Sequence, residues 1–349
     1  MASDMNAYGT SSMVLDQKEK PIVGLDSRIY RIGGSCLPFS REAYRLRQAF
    51  RSGSLSGEGY EDHGCTDGCG GHCHAEVFCL ELEVDGQPNN KGWKRCCPMN
   101  IGRMTPLACA VDGKIYVFGG AMHSRIIGEV YDPIKDEWET LPPLIDYHNP
   151  VAPMNVVVDD PEEAGNKLIL VHIQGTQPLY AFNVRKNDWD CFDKRFGLDP
   201  RYPYDDPRAR TRYYSHREWP TNAVVDNVLY FYSPRKGFFG YDLNEKEWHD
   251  LEGKEWDRIH GILKSSDGFE DPDGFEDPEL FHLGGNTLCL LWSCEVFGGK
   301  LPHLSPEVII GCAKIKLVGT NIDNSSQSLR LGYFHHKLPG YDPLHYVLL

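Results

Sequence analysis

Residues 131–138 read YDPIKDEW, residues 182–189 read FNVRKNDW and residues 241–248 read YDLNEKEW. In each stretch an aromatic residue followed by Asp or Asn precedes a tryptophan by seven positions, across a polar turn. Three copies of this pattern mark an internal repeat. Upstream of the copies lies a second shared pattern: apolar run, tight turn, apolar run. It reads LACAVDGKIYVFGG at 107–120 and AVVDNVLYFY at 223–232; a copy with a longer turn is NVVVDD at 155–160 followed by KLILVHIQG at 167–175. Weaker copies are PIVGLDSRIYRIGG at 21–34 and LFHLGGNTLCLLW at 280–292. Asp-Gly, Asp-Asn and Gly-Asn between β-branched and aromatic runs are hairpin signals.

Each unit therefore reads as four short antiparallel strands, a to d. The tryptophans at 93, 138, 189 and 248 recur at spacings of 45, 51 and 59 residues. Four strands at such a period indicate propeller blades rather than helical repeats. One sheet cannot cover both of its faces, so the aromatic residue and Trp of each blade are expected to pack on the next. The expected fold class is all-β, a single β-propeller with five readable blades at about 21–98, 104–144, 152–194, 219–252 and 279–336. Segments 10–17 and 341–349 either pair to close the ring or form a sixth blade.

Composition narrows the function. The chain has 349 residues, 41% of them apolar, with 36 Lys plus Arg against 50 Asp plus Glu, a net charge of −14. That acidic excess argues against nucleic acid or an anionic membrane as partner. No run approaches the ~20 apolar residues of a membrane span, and the first twenty residues lack the apolar core of a signal peptide. A cytoplasmic monomer is expected, with its twelve cysteines reduced. Cys109, Cys191, Cys289 and Cys312 sit in apolar runs and read as small core residues.

The irregular segments 36–75, 195–218, 252–279 and 294–307 all fall at b–c loops or d-to-a links, which leave a blade on one side. Long loops in a compact fold are commonly functional, so one decorated face is expected to bind a protein segment or small molecule. Segment 201–217 carries Arg201, Arg208, Arg210, Arg212 and Arg217 with Tyr213, Tyr214 and His216 interleaved. Segment 252–279 holds ten acids and a tandem duplication, DGFEDP at 267–272 and 273–278. The two can neutralise each other, or the arginines can anchor a carboxylate or phosphate. Residues just before strand a and just after strand b are expected to line the mouth: Arg103, Met104, Arg125, Asn149, Gln174, Gln177, Trp219 and Arg235, with Arg217. His123, His148, His216 and Glu295 are the acid–base candidates should the mouth be an active site.

A metal-like cluster lies at 63–74, HGCTDGCGGHCH, where His63, Cys65, Cys69, His72, Cys73 and His74 combine thiolate and imidazole donors suited to a divalent ion. Its four-residue cysteine spacing is not a standard zinc pair, and three glycines oppose a rigid site, so the alternatives are a divalent metal or a flexible, redox-sensitive loop without cofactor. Nucleophile elbow, phosphate loop, H-E-x-x-H and dinucleotide fingerprints are missing from the sequence.

Gly33-Gly34, Gly119-Gly120 and the Tyr131/Trp138 and Tyr241/Trp248 pairs make the chain resemble the kelch-repeat family over about residues 21–318. Gln174-Gly175 and Tyr232-Ser233 stand where two of the double glycines would be. The resemblance implies the propeller fold and says little about activity. The rhythm of the units is similar to that of plant F-box/kelch proteins, which present substrates to ubiquitin ligases through a helical F-box. The roughly twenty residues before the first strand are not helically periodic, so the expectation is a propeller without that hook. Plant nitrile-specifier proteins share the fold and bind iron through E-x3-D-x3-H; Glu58 and Asp62 keep the first spacing, but Thr66 breaks the pattern. The leading expectation is a binding module, and the alternative a non-redox enzyme of plant-type specialised metabolism.

Overall fold

A computed structural model describes residues 22–33, 75–83, 92–103, 106–121, 124–144, 152, 154–173, 176–199, 221–233, 237–251, 279–296, 307–317 and 328–334. They form five four-stranded sheets whose strands lie side by side in chain order. Sheet 1 holds β1 (Ile22–Leu25), β2 (Arg28–Ile32), β3 (Val77–Glu81) and β4 (Lys94–Arg95). Sheet 2 holds β5 (Leu107–Val111), β6 (Lys114–Phe118), β7 (Gly128–Asp132) and β8 (Glu137–Thr140). Sheet 3 holds β9 (Met154–Asp159), β10 (Lys167–His172), β11 (Leu179–Asn183) and β12 (Asp188–Asp193). Sheet 4 holds β13 (Thr221–Val225), β14 (Val228–Ser233), β15 (Gly237–Asp242) and β16 (Glu247–Asp250). Sheet 5 holds β17 (Glu279–His282), β18 (Thr287–Val296), β19 (Glu307–Lys316) and β20 (Ser328–Phe334). The class is all-β with five antiparallel blades, as the repeats predict for a kelch-type β-propeller; helical backbone among the described residues is one 3₁₀ turn, Phe196–Leu198. Segments 10–17 and 341–349 lie outside the described residues.

The turns follow from their residues. Between β5 and β6, Asp112 and Gly113 take φ of 49° and 75°, the left-handed pair that joins twisted antiparallel strands in two residues. Asp26 and Asp226 occupy the same place at φ 54° and 52°. The Asp or Asn of the repeated motif builds the c–d turn. Asp132 Oδ1 accepts the Ile134 and Lys135 amides at 3.0 and 3.3 Å, Asp242 Oδ1 those of Asn244 and Glu245 at 2.8 and 3.0 Å, and Asn183 Oδ1 that of Lys186 at 3.0 Å. A short side-chain acceptor is what such a turn needs.

The tryptophans of sheets 2, 3 and 4 hold these sheets to the links that precede them, whereas Trp93 of sheet 1 is exposed. The indole N–H of Trp138 donates to the Cys97 carbonyl at 2.9 Å, that of Trp189 to Pro142 at 2.9 Å and that of Trp248 to Phe196 at 3.1 Å. Each ring also lies about 5 Å from its own motif aromatic, Tyr131, Phe182 or Tyr241. Tyr241 Oη donates to Asp193 Oδ2 at 2.7 Å, adding a second tie to the preceding segment. Large apolar rings whose polar atoms are satisfied suit such half-buried seams.

Gly119 shows why the first glycine of the pair is needed in sheet 2. Its φ is 75°, and a Cβ there would stand 2.7 Å from the amide nitrogen of Ala152 and 3.1 Å from its Cβ. The link into sheet 3 thus passes directly over a residue with no side chain.

Two compact units divide the chain within sheet 3: Met1–Gln174 with Phe182–Trp189 and Leu344–Leu349, and Gly175–Ala181 with Asp190–Pro343. In the first, β1 lies beside β5 and β5 beside β9, over a core that includes Val23, Ile32, Val77, Ile115, Val117 and Trp138. In the second, β13 lies beside β17, over Val225, Tyr232, Leu280, Leu288, Leu290 and Ile315.

Two expectations change. β18 and β19 continue to Val296 and from Glu307, paired in register to their tips, so the irregular stretch of sheet 5 shortens from 294–307 to 297–306. Cys191 is exposed on the outer strand β12, while Cys289 is buried and Cys109 half-buried; an outer strand has no layer above it to bury its second face. The side chain of Cys312 lies outside the described residues. Among the described residues no helix is long and apolar enough to cross a membrane.

Candidate functional site

In an antiparallel sheet the start of strand a and the end of strand b share one end. The registers Ile22↔Arg31, Leu107↔Phe118, Met154↔His172, Thr221↔Tyr232 and Glu279↔Leu291 locate that end in each sheet. The longest connectors attach there. In sheet 1 this is 34–74, running from β2 to β3. In the second unit these are the approach to Thr221 and residues 252–278 before Glu279, beside the shorter connectors 234–236 and 297–306. At the other end the a–b turns are tight, except Asp160–Asn166, where Asn166 Nδ2 donates to Asp160 Oδ2 at 2.8 Å and to Asn183 Oδ1 at 2.9 Å; the c–d connectors there are short in sheets 2, 3 and 4 and longer in sheets 1 and 5, over 82–93 and 317–327.

At the connector end of sheet 2 lies a buried ion pair. Arg103 Nε donates to Glu129 Oε2 at 3.0 Å with both side chains fully buried. Arg103 Nη1 donates to the carbonyls of Gly119 and Ile127 at 2.7 and 3.1 Å, and its backbone bridges Ala121. The other Glu129 oxygen accepts the Asn100 amide at 2.9 Å. Burial lowers the Arg103 pKa and Glu129 opposes that shift, as a buried guanidinium needs a close partner. The sequence places Arg103 among the residues lining a mouth. The structure instead spends its guanidinium inside sheet 2, tying the link from sheet 1 to β6 and β7.

Of the other expected site residues, Arg125 and Gln177 are exposed, and the Gln177 carbonyl accepts the Gly197 amide at 2.8 Å. Glu295 lies on β18 opposite Val308. Met104, His123, His148, Asn149, Gln174, Arg210, Arg212, Tyr213, Tyr214, His216, Arg217, Trp219 and Arg235 lie outside the described residues. So does the whole 63–74 cluster, with His63, Cys65, Cys69, His72, Cys73 and His74.

Sequence reasoning missed a polar group at the seam between sheets 1 and 2. Tyr131 Oη donates to Asp136 Oδ1 at 2.6 Å, and the same oxygen accepts the Cys97 amide at 2.8 Å. The Tyr131 bond and the Cys97 amide hold the Asp136 carboxyl below its ordinary range. Burial and the neighbouring Cys79 thiol push the Cys96 thiol up to about 12, and burial raises Tyr131 well above an ordinary phenol. Protonated thiols and a neutral phenol here are packing groups, not nucleophiles. The Asp that closes the YDPIKD turn was the only sequence signal for this group.

Residues 103–145 match the Kelch motif, and this stretch begins at Arg103 and contains Gly119, Glu129, Tyr131 and Trp138. The chain is similar to F-box/kelch-repeat proteins of Arabidopsis thaliana. One is 23% identical over 237 residues, 64% of this chain and 49% of the relative. Another is 25% identical over 235 residues, 65% of this chain and 51% of the relative. The chain thus spans about half the length of these curated relatives. A solved chain titled "Structure of YjhT" is 11% identical with a TM-score of 0.40, over 86% of this chain and 82% of that one. The motif and the relatives bear out the kelch-repeat resemblance carried by the repeats.

Proposed function

Taking the chain as a carrier of kelch repeats, we propose that it is a protein-interaction module that recognises a partner segment through the connector ends of its sheets, and that in the second unit the arginines of 201–217 are the anchors. The reading is carried by one observation: the longest connectors, 34–74 and 252–278, attach where strand b ends or strand a begins, while the longest connector at the other end of a sheet is 82–93. Rigid sheets presenting variable connectors suit recognition, since the framework bears no ordering cost on binding. Arginine forks bind carboxylate or phosphate in two parallel hydrogen bonds, and interleaved tyrosines add contact area at little entropic cost. A cytoplasmic, reducing setting, in which the cysteines are thiols, is part of this reading.

The test is affinity capture from extract with the tagged full chain, its Arg210→Ala/Arg212→Ala variant, and Lys135→Ala in the turn at the other end of sheet 2. Specific partners lost in the double variant and kept in Lys135→Ala are expected. Partner sets unchanged by the arginine substitutions would overturn the assignment of the anchors.

A further inference from the structure

The outer strand of sheet 4 carries a group that belongs neither to the connector end nor to the seams. Glu245, Glu247 and His249 bring three ligand atoms, two carboxylate oxygens and an imidazole nitrogen, all within 4.8 Å of one another. Glu247 and His249 alternate along β16, which puts them on one face of the strand, and Glu245 joins them from the turn before β16. Glu245 and Glu247 are exposed and His249 is half-buried. On the neighbouring strand Gly240 stands opposite His249, so no side chain crowds the imidazole from that position.

The sister repeats show what this position ordinarily holds. Aligned on the motif tryptophan, Glu245 corresponds to Lys135 in sheet 2 and Lys186 in sheet 3, while His249 corresponds to Glu139 and Asp190. In sheet 2, Lys135 Nζ lies 4.0 Å from Asp132, and Lys114 adds a second ammonium at 3.9 Å. In sheet 4 the position of Lys114 is Val228 and that of Lys135 is Glu245. Both built-in cations are gone, and one carboxylate has become an imidazole. The one lysine in the turn, Lys246, reaches away: its Nζ donates to the Phe192 carbonyl at 2.7 Å and sits 4.8 Å from the Phe192 ring centre.

We propose that Glu245, Glu247 and His249 form a binding site for a divalent first-row transition ion, which supplies from outside the positive charge that sheets 2 and 3 supply with lysine. The donor set decides the class of ion. One nitrogen and two carboxylate oxygens suit Mn²⁺ or Zn²⁺ better than an ion that demands thiolate. Three protein ligands at the end of an outer strand leave coordination positions open to water or to a partner's side chain.

Mn²⁺ is the probe, because carboxylate sites suit it and thiolates do not. The full chain is titrated with Mn²⁺, free ion is read by electron paramagnetic resonance, and the bound ion is examined by pulsed resonance for imidazole nitrogen. The wild type is expected to hold one saturable Mn²⁺ with a nitrogen signature. Glu245→Lys, which restores the sister residue at an exposed position, and His249→Ala are each expected to weaken it at least about tenfold, the lower bound seen even for outer-shell losses. Competition by Zn²⁺ should remove the signal. No saturable ion in the wild type, unchanged binding in Glu245→Lys, or bound Mn²⁺ without imidazole nitrogen would each overturn the site. Unchanged intrinsic tryptophan fluorescence in Glu245→Lys separates loss of ligand from loss of fold.

Discussion

Replacing Gly119 by alanine tests the packing argument most directly, because the chain contains its own control. Gly113 and Gly119 share a φ of 75°, but a Cβ on Gly113 meets nothing within 4 Å, whereas one on Gly119 stands 2.7 Å from the Ala152 amide nitrogen. In Gly113→Ala the left-handed backbone costs about 1–2 kcal/mol, offset by about 0.4–1 kcal/mol from the stiffer unfolded chain. Gly119→Ala carries the same backbone cost plus the overlap. The atom in the way is backbone rather than the tip of a flexible side chain, and Ala152 is itself buried. It leads into β9, where Met154 is held opposite His172. Overfilling a packed site of this kind costs about 1–3 kcal/mol more. Urea unfolding followed by tryptophan fluorescence should therefore place Gly119→Ala below Gly113→Ala by that difference, with similar slopes for the two variants. Equal midpoints would refute the idea that close passage of the link, rather than turn conformation alone, selects glycine at 119.

Two further outcomes follow. Arg103→Met leaves Glu129 charged and buried with only the Asn100 amide, and should cost about 3–5 kcal/mol; adding Glu129→Gln should recover part of that loss, and strictly additive effects in urea unfolding would contradict the pairing. The thiols and phenols whose pKa values are raised set the alkaline limit. Cys96 and Cys109 rise from 9.0 to about 12 and Tyr116 and Tyr230 from 10.0 to about 12, chiefly through burial. These groups are raised in the folded state, so their contribution is complete below their unfolded values and is lost as pH climbs through the folded ones. The midpoint of thermal unfolding should thus be level from pH 7 to about pH 8.5 and fall above about pH 9, with tyrosinate absorbance appearing together with unfolding; tyrosinate in the folded protein at pH 10 in full amount would contradict it.

The repeat was legible because every element of its motif meets a local need. Asp or Asn takes the turn amides, the aromatic packs on the tryptophan, and the indole finds a carbonyl. The double glycine was legible as a signature, but its cause was not: Gly119 answers to Ala152, thirty-three positions away, and no local pattern reports such a neighbour. Arg103 misled for a related reason. An arginine in a link beside a strand reads as a surface cation, and only the fold brings Glu129 and two inward-facing carbonyls to it. Cys191 was expected in an apolar run, yet three of the six residues of β12, DWDCFD, are Asp, and strand d has no neighbour on its far side. The trio at the start of β16 escaped because Glu-x-Glu-x-His resembles the acids that guard most exposed strand edges; it stands out only when sheet 4 is laid against sheets 2 and 3.

The seams also explain how spacings as uneven as 45, 51 and 59 residues support one repeated unit. The tryptophan does not bind the preceding sheet at a fixed distance along the chain. It binds the link, and the acceptor is a backbone carbonyl, which every residue has. The acceptors are accordingly unlike: Cys97, Pro142 and Phe196. Each follows the last strand of its sheet by two or three residues, whatever length of chain comes later. A seam built on a main-chain acceptor constrains the first residues of a link and leaves the rest unconstrained. The length and charge of 201–217 can therefore vary without disturbing the sheets. That separation between a clamped start and an unclamped remainder lets the connectors differ in length and charge while the fold stays the same.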